Sequence, residues 1–353
     1  MDKIKVGIIG AGGYGGCGAI ELLQNHPYVE ISGLFAKQDI GKPVSELYPH
    51  LQGFCDLIVR SPDDPDSPDD FQVVFFATPD GVGQTWARNW IEKGAKVIDY
   101  SGDFRFNDLE TYKGYAARMG RPPDHASPEL LPRSVYGLTE LHRSEISQSN
   151  VVGNPGCFAV SCILGVAPAV SSKLVDPDSI IFDAKTGVSG AGKTPNSTFH
   201  YPARYESMNA YKIAGHQHVY EIERELSLLA GRDLRVTFTP HVVPLCRGIL
   251  TTIYAQLNAG QTLRTVEEAY RAFYKDEFFV RVFGPETPQV SIHVRGSNFC
   301  NISLNLDERT GKLIVVSLID NLVKGQAGSA VQNMNVMLGL DETTGLSHPG
   351  FYP

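Results

Sequence analysis

The fold is decided near the N-terminus by the stretch KIKVGIIGAGGYG, residues 3–15. Its first half is a Val- and Ile-rich strand, and the pattern GxGxxG follows directly before a helical stretch at 16–24. In such loops the first glycine allows a tight turn, the second lets the backbone approach a pyrophosphate, and the third lets helix and strand pack closely. A second strand at 29–35 completes the context. The sequence therefore predicts a Rossmann dinucleotide-binding domain.

The end of that second strand indicates which dinucleotide is bound. NAD sites usually carry an Asp or Glu there, which bonds the ribose 2′-hydroxyl and would repel a 2′-phosphate. Here the strand runs into Ala36, Lys37 and Gln38, with no acid before Asp39. Lys37 is suitably placed to pair with a phosphate, so the pattern favours NADP. The alternative is that Lys37 is an ordinary surface lysine.

Composition excludes several classes of protein. The chain has 353 residues, 42% hydrophobic and 20% charged, which is typical of a globular protein with two domains of ordinary size. A net charge of −8 argues against an extended nucleic-acid surface. We find no apolar run long enough for a bilayer, no signal peptide, and no metal-type spacing among the six cysteines. We therefore expect a cytoplasmic protein with reduced thiols and no metal.

Further strands at 73–77 and 96–99 alternate with a helix at 84–93, which predicts a parallel sheet with right-handed connections. A polar loop rich in proline and acid, 61–70, precedes them. Ligands bind at the carboxyl ends of the strands in such sheets. The segment 99–105 leaves one of these ends, so Arg105 is a candidate anion binder. An ordinary salt bridge is the alternative.

The stretch VVGNPGCFAV, residues 151–160, carries the strongest chemical signal. A short buried strand is followed by a Gly-Asn-Pro-Gly turn, and Cys157 then opens an apolar helix that Pro168 should stop. In the first turn of a helix, unpaired amides and the macrodipole favour the reactive thiolate and could hold an oxyanion. Cys157 is therefore the candidate nucleophile. Cys162, further along the same helix, should be a buried structural cysteine.

Two later motifs are ambiguous by pattern alone. Residues 187–194 match GxxxxGK[ST], but Pro195 breaks the helix that a P-loop requires, so we do not expect ATP binding. His216 and His218 lie at a predicted helix start near 215, where residues two apart should face different sides. That spacing argues against a shared metal, and no third ligand is evident. We expect one histidine to face the thiol as an acid/base or hydrogen-bond donor.

The remainder of the chain is rich in β-structure. The pattern predicts strands at 180–185, 236–239, 249–256, 290–295 and 314–318, and a helix at 265–275. A last helix, 324–338, keeps a 3.6-residue apolar period and begins with small residues that would let a flat ring approach. We expect this helix to return to the first domain. The predicted domains are 1–153, 154–322 and a C-terminal segment 323–353.

With these motifs assembled, the chain resembles the N-acetyl-gamma-glutamyl-phosphate reductases of the aspartate-semialdehyde-dehydrogenase-like superfamily. The matching segments run nearly end to end and include 10–15, 99–105, 136–138, 153–157, 189–192, 215–222, 238–241, 247–248 and 328–337. The resemblance implies a Rossmann domain (α/β) plus an α+β catalytic and dimerisation domain with a mostly antiparallel sheet. It also implies NADPH-dependent reduction of an acyl phosphate to a semialdehyde, as in arginine biosynthesis.

The resemblance places the nucleophile on Cys157 and the acid/base on His218. The expected substrate and phosphate contacts are Arg105, Asn154, Ser189, His216 and Arg247. The expected cofactor contacts are Gly10, Gly12, Gly13, Tyr14, Gly15, Lys37, Thr78, Gly190 and Asn333. The sequence departs from the family pattern at Gln217, at Val219-Tyr220 and at Lys193.

Two other functions stay open at this stage. One is the related reductase that acts on an aminoadipyl phosphate held by a small acidic carrier protein, which would need a basic docking face. The other is an NADP-binding sensor or interaction protein without catalysis. The family resemblance implies a small-molecule acyl-phosphate substrate and a homodimer or homotetramer, with no nucleic acid or membrane as partner.

Overall fold

The computed structural model describes residues 3–64, 66 and 68–353. They form two compact units. The first comprises the chain up to Gly156 together with Gln326–His348, and the second comprises Cys157–Gly325 with Pro349–Pro353. Each junction lies three residues beyond the predicted boundary. The last five residues belong with the second unit, whereas the sequence analysis had placed them with the C-terminal helix.

The first unit is built on a parallel sheet of seven strands. These are β1 (Ile4–Ile9), β2 (Val29–Phe35), β3 (Val59–Arg60), β4 (Val73–Phe76), β5 (Lys96–Asp99), β6 (Ser134–Tyr136) and β7 (Val151–Gly153). The order is β3-β2-β1-β4-β5-β7-β6, so the strand order reverses beside β1. Ligands of doubly wound sheets bind at such a switch point, outside the carboxyl ends of the strands. The predicted Rossmann topology is confirmed.

In the part of the chain that the structure describes, five α-helices lie between these strands: α1 (Tyr14–Leu23), α2 (Val44–Leu47), α3 (Gly83–Glu92), α4 (Leu109–Arg118) and α5 (Thr139–Gln148). The close approach of α1 to β1 depends on two glycines. A Cβ on Gly10 would lie 2.2 Å from the Ala77 carbonyl oxygen, and Gly10 has a φ of +94°. A Cβ on Gly16 would lie 2.4 Å from the Gly10 oxygen. The sequence analysis assigned this packing to Gly15, but the structure assigns it to Gly16.

The second unit has a mixed, mostly antiparallel sheet of seven strands in the order β12-β13-β14-β11-β8-β10-β9. The strands are β8 (Val175–Thr186), β9 (Asn209–Ala210), β10 (Thr237–Val242), β11 (Ile249–Leu257), β12 (Val280–Phe283), β13 (Cys300–Asp307) and β14 (Lys312–Ile319). Its helices are α6 (Cys157–Ser171), α7 (Tyr201–Arg204), α8 (Val219–Ala230) and α9 (Leu263–Phe273). The predicted α+β class of this unit is confirmed.

Helix α6 is the core of the second unit: residues 158–170 are all buried. It packs on β8, β11 and β14 and against α8 and α9. The prediction that Pro168 ends this helix was wrong. Proline deprives the Leu164 carbonyl of its usual amide partner four residues on, but the Tyr274 hydroxyl donates to that oxygen at 2.5 Å. The supplied donor lets the helix continue to Ser171.

Three further differences concern element type. The predicted strand at 290–295 is a short 3₁₀ turn, Ser291–Val294, and the neighbouring strand is β13. Helices α4 and α5 lie in stretches where the sequence analysis assigned no element. The loop predicted at 61–70, in contrast, agrees with the structure, since its described residues form no helix or strand. Pro65 and Ser67 lie outside the described residues.

The chain re-enters the first unit through a π-helical turn, Val323–Ala327, followed by α10 (Gly328–Met337). Every residue of α10 is buried, and the helix packs against α1, α5 and β5. Among the described helices, none combines the length and apolar character that crossing a bilayer requires.

Candidate active site

Cys157 is the first residue of α6, directly after the Asn154-Pro155-Gly156 turn. It is half-buried, whereas Cys162 is fully buried on the same helix. Burial raises the pKa of the Cys162 thiol well above its usual value, and a hydrogen bond to Thr251 offsets only part of that effect. Cys162 is therefore inert at neutral pH. The helix start leaves Cys157 the chemically favoured thiol of the two.

Cys157, the first residue of the segment 157–325, is in close contact with Gly325, the last residue of that segment. A Cβ on Gly325 would lie 2.7 Å from the Cys157 Cβ. The Gly325 amide donates to the Asp320 carbonyl oxygen at 2.9 Å, which holds the segment 320–325 in place. Gly325 lies in the π-helical turn, a feature that is frequent at functional sites. Only a residue without a side chain fits against the nucleophile here.

The two histidines gather around Phe158, the residue after the nucleophile. The ring centroid of Phe158 lies 5.5 Å from that of His216 and 6.1 Å from that of His218. The two imidazoles are 4.6 Å apart. We expected the histidines to face different sides of a helix, and this was wrong. Both precede α8, which begins at Val219, so helical spacing does not apply to them.

His216 is held as a neutral imidazole. Burial lowers its pKa to about 2, and the positive charges of His218 and Lys212 act in the same direction. Its Nδ1 accepts the backbone N–H of His218 at 3.2 Å, which places the ring proton on Nε2. His216 can therefore donate a hydrogen bond through Nε2 but is not a reservoir for an extra proton near neutral pH.

His218 has an acidic neighbour that the sequence analysis did not single out. Its Nε2 lies 4.0 Å from Oε1 of Glu221, a residue that is completely buried in α8. The available signal was a glutamate three residues after His218 on the inward face of an amphipathic helix. Glu221 is thus a candidate positioning residue.

Tyr211 is a second residue that the sequence analysis missed. Its ring lies 5.7 Å from that of His216, and its pKa is raised by burial and then by the charge of Cys157. The hydroxyl therefore stays protonated and lies within electrostatic range of the thiolate. The sequence around Tyr211 has no helical pattern that would predict its position. The residue is held instead by a hydrogen bond from its backbone amide to the Pro240 carbonyl oxygen.

The predicted residues Ser189 and Arg247 belong to one network in the second unit. Asn321 donates to Ser189 Oγ at 3.0 Å and accepts the Gly248 amide at 2.7 Å. Arg247 Nε lies 3.3 Å from the fully buried Asp320 carboxylate. Gly190 is exposed beside this network, and a Cβ there would meet no atom closer than 3.6 Å. The network orients a partly exposed guanidinium.

The first unit carries the features of a dinucleotide site. Gly13 begins α1 without any side-chain cap, and the first turn has no acidic residue. Such a helix start attracts a phosphate through its free amides and dipole. Thr78, two residues after the end of β4, has a buried Oγ1 with no hydrogen-bond partner, and its Cγ2 would be 3.2 Å from a Cβ on Gly10. These residues fit a dinucleotide at the β1/β4 switch point.

Two other predicted cofactor contacts differ in their surroundings. Lys37 is exposed just after β2, and the nearby Asp39 carboxylate is held by Lys42 at 2.9 Å. Asn333 is completely buried: its Nδ2 donates to Gly137 and Asn154, and its Oδ1 accepts from Thr139. Lys37 is therefore accessible to a ligand, whereas Asn333 is occupied by protein contacts.

Arg105 is also engaged within the first unit. Its Nε donates to the Asn154 carbonyl at 2.8 Å, and its Nη2 donates to the Tyr100 carbonyl at 2.6 Å. The edge of the guanidinium that usually grips an anion in bidentate fashion is thus taken by backbone. Asn154 is held as well, through its amide on Asp99 and its side chain on Gln326 and Asn333. Arg105 stabilises the turn before Cys157, and the predicted bidentate phosphate clamp does not fit this geometry.

Comparisons with known proteins agree with this geometry. Residues 5–149 match the NAD-binding domain of semialdehyde dehydrogenases, and residues 157–321 match the dimerisation domain. The chain is 45% identical over 351 residues to the N-acetyl-gamma-glutamyl-phosphate reductase of Citrifermentans bemidjiense, covering 99% of this chain and 100% of the relative. The reductase of Bacillus cereus is 41% identical over 349 residues, with 99% and 100% coverage.

This chain belongs to the N-acetyl-gamma-glutamyl-phosphate reductase family.

Among solved structures, aspartate semialdehyde dehydrogenase II of Vibrio cholerae matches this family member with a TM-score of 0.72, 17% identity, and 96% and 99% coverage. The Candida albicans aspartate semialdehyde dehydrogenase with NADP matches with a TM-score of 0.68 and 16% identity, covering 96% of this chain and 99% of that one. At these identities the likeness shows the shared fold.

The neutral state of His216 predicts a pH dependence of stability. Its folded pKa is below its unfolded value, so the unfolded chain binds a proton that the folded chain refuses. This contribution is fully present above about pH 6.5 and falls by up to ~1.4 kcal/mol per pH unit below it. We expect urea unfolding of His216→Gln to show a shallower loss between about pH 6.5 and pH 5 than the wild type.

His200→Gln is the matched control, because His200 is exposed in the same unit. It should reproduce the wild-type slope. If His216→Gln also kept that slope, the histidine would not be buried in its neutral form.

Proposed function

We propose that the protein reduces N-acetyl-L-glutamyl 5-phosphate to N-acetyl-L-glutamate 5-semialdehyde and phosphate, with NADPH as reductant, as a step of arginine biosynthesis. The observation that carries this proposal is the half-buried Cys157 at the start of α6, followed directly by Phe158, whose ring packs against two buried imidazoles. Family membership supplies the substrate class. The assay that tests it is NADP-dependent oxidation of N-acetylglutamate semialdehyde in phosphate, with the aminoadipate analogue as the comparison substrate.

The first chemical step belongs to Cys157. Its thiolate attacks the acyl carbon, a C–S bond forms, and the bond between that carbon and the phosphate oxygen breaks, so that phosphate leaves with the electron pair. The amides of the first turn of α6 face the oxygen that becomes negative in this step and stabilise it. The product is a thioester on Cys157. Tyr211, whose pKa is raised, stays neutral throughout and adds no negative charge near the sulfur.

The second step needs a proton at the same oxygen. NADPH supplies the hydride that reduces the thioester carbon. His218 donates a proton to the oxygen that becomes negative in this step, and it takes that proton back when the carbonyl re-forms, the carbon–sulfur bond breaks and the thiolate is restored. Glu221 helps to position the His218 ring, while neutral His216 donates a hydrogen bond from Nε2 to the substrate.

The two arginines singled out by the sequence have different roles. We assign Arg247 the substrate or phosphate contact, because it is partly exposed and oriented by Asp320. Ser189 and Gly190 lie beside it and fit the same role, with Gly190 also free to take a cofactor atom. Arg105 acts through Asn154 as a positioning residue for the turn that presents Cys157.

The cofactor contacts rest on the glycine loop. Gly10, Gly12, Gly13, Tyr14 and Gly15 would bring backbone amides to the pyrophosphate, and Thr78 has a hydroxyl that still needs a partner. Lys37 would pair with the 2′-phosphate. Asn333 supports this site indirectly, through its bonds to the backbone and to Asn154.

The assembly and the compartment are further proposals. The second unit matches a domain described by its dimerisation, which favours an oligomer, and we propose a homodimer or homotetramer. All six cysteines are free thiols, which fits a reducing cytoplasm. Nucleic acid is not expected as a partner because the net charge is −8.

The nucleophile is tested by Cys157→Ser. A serine hydroxyl at this position is a much weaker nucleophile, so turnover should fall at least about a thousandfold. NADPH binding, followed by fluorescence, should be unchanged. Cys162→Ser is the control on the same helix and should keep its turnover. An active Cys157→Ser enzyme beside an inactive Cys162→Ser enzyme would overturn the assignment.

Cofactor choice is tested by Lys37→Ala. The wild type should prefer NADPH to NADH. Losing one charge-assisted contact should raise the KM for NADPH about tenfold and leave the KM for NADH nearly unchanged. Lys113→Ala is the control, since Lys113 is a partly exposed lysine of the same unit paired with Glu110. Equal use of the two cofactors by the wild type would contradict the argument from the strand end.

The roles of the two histidines are tested by one substitution at each. His218→Asn should lower kcat by about a hundredfold or more, because a proton donor to the developing oxyanion is lost. Cys157 should still react with a thiol reagent in that variant. His216→Asn should act mainly on stability or on the substrate KM. Equal losses of kcat, or a larger one for His216→Asn, would exchange or merge the two roles.

A further inference from the structure

A side-chain cluster in the first unit lies outside the site described above. Cys17 and Glu21 are one turn apart on α1, and His50 lies in the short 3₁₀ turn Pro49–Leu51. One potential ligand atom from each residue lies within 4.8 Å of the other two. The donors are a thiol, a carboxylate and an imidazole, a set that suits zinc rather than magnesium or calcium.

The distances are close to those of a tetrahedral zinc centre. Ligands at zinc–sulfur and zinc–oxygen bond lengths are separated by about 3.5 Å in a tetrahedron. Cys17 Sγ lies 3.6 Å from Glu21 Oε1. His50 Nε2 lies 2.8 Å from the same oxygen, a hydrogen-bond distance that must widen by about half an ångström. The exposed His50 ring can make this movement without disturbing the core.

We propose that Cys17, Glu21 and His50 form a zinc-binding site with a water molecule as the fourth ligand. On binding, the Cys17 thiol releases its proton, and the proton of His50 moves to Nδ1 so that Nε2 can coordinate. The metal would neutralise the negative charges of the resulting thiolate and of the Glu21 carboxylate, which now accepts a hydrogen bond from the Cys17 thiol. The spacing 17, 21 and 50 matches no zinc motif, and for this reason the sequence pattern alone predicted no metal.

Such a site would act on the dinucleotide loop mechanically. The hydroxyl of Tyr48 donates to the Gly12 carbonyl at 2.9 Å, and the rings of Tyr48 and His50 lie 6.2 Å apart. Coordination of His50 therefore fastens the segment 48–51 to α1 next to the glycine loop. Bound zinc should raise the thermal stability of the first unit by mass action.

The test uses the full chain carrying Cys157→Ser, because the nucleophile and its histidines could also bind zinc. After equilibration with zinc and dialysis, atomic emission should find one equivalent per chain. Cobalt should give a thiolate-to-metal absorption band. Adding Cys17→Ser should remove that band, and adding His50→Ala should weaken zinc binding at least about tenfold. Zinc should raise the Tm of the background protein but not of the His50→Ala protein.

Two matched variants control for other thiols and imidazoles. Cys246→Ser and His200→Ala each remove an exposed residue of the second unit and should retain the bound equivalent. Zinc binding that persists without Cys17 and His50, that follows Cys246, or that is absent from the background protein would overturn the proposal. His50→Ala keeps the test decisive if Cys17→Ser fails to fold, since His50 is exposed. None of these outcomes depends on the reductase activity.

Discussion

Complete burial of α6 is the constraint on which the rest of the second unit depends. A helix that is apolar on all sides must be surrounded, and β8, β11, β14, α8 and α9 surround it. Polar groups along this helix are hydrogen-bonded. The Ser161 hydroxyl bonds the hydroxyls of Thr251 and Ser317, and two tyrosine hydroxyls donate to the carbonyl oxygens of Leu164 and Gly165. A helix held so firmly along its length has no freedom at its first residue. The nucleophile is therefore fixed by packing that lies up to fourteen residues away.

The first unit follows from a different constraint, the approach of α1 to β1. The steric need for glycine at positions 10 and 16 comes from contacts with backbone atoms, which cannot move aside. The sequence analysis identified the loop correctly but placed the packing glycine one residue early. The reason is that a run of five glycines within 10–16 matches more than one spacing, and only coordinates show which Cβ would collide. The predicted fold did not depend on this choice.

Local patterns predicted the regular parts of the structure well. The strands β2 and β5 have their predicted bounds, since they are buried runs flanked by clear turns. The strand predicted at 290–295 was wrong because alternation over six residues also fits a 3₁₀ turn that packs one side chain inward. The end assigned to α6 was wrong for a tertiary reason, since the hydroxyl that replaces the missing amide of Pro168 comes from Tyr274, more than a hundred residues away.

The site shows the same division between local and distant information. Cys157 was evident from its own turn and helix, whereas Tyr211 and Glu221 became candidates only through their distances to the histidines and the thiol. Arg105 and Asn333 show the converse: both have the chemistry of ligand-binding residues, and both also make hydrogen bonds to backbone or side-chain partners in the first unit, so their predicted ligand roles stay predictions. The type of a residue shows which ligands its side chain could bind. Its hydrogen bonds within the protein show which of its donors and acceptors are already engaged.

The arrangement of the imidazoles explains how one site can contain two histidines with separate roles. With the rings 4.6 Å apart, a second positive charge in this buried place would be costly. The backbone amide of His218 occupies Nδ1 of His216, so protonating that nitrogen would also break a hydrogen bond. His218 Nε2, in contrast, lies 4.0 Å from the Glu221 carboxylate. His216 is therefore the neutral member of the pair, and the acid/base role is proposed for His218. Gln217, where the sequence departs from the family pattern, does not change this argument, because the argument depends only on the rings of His216 and His218.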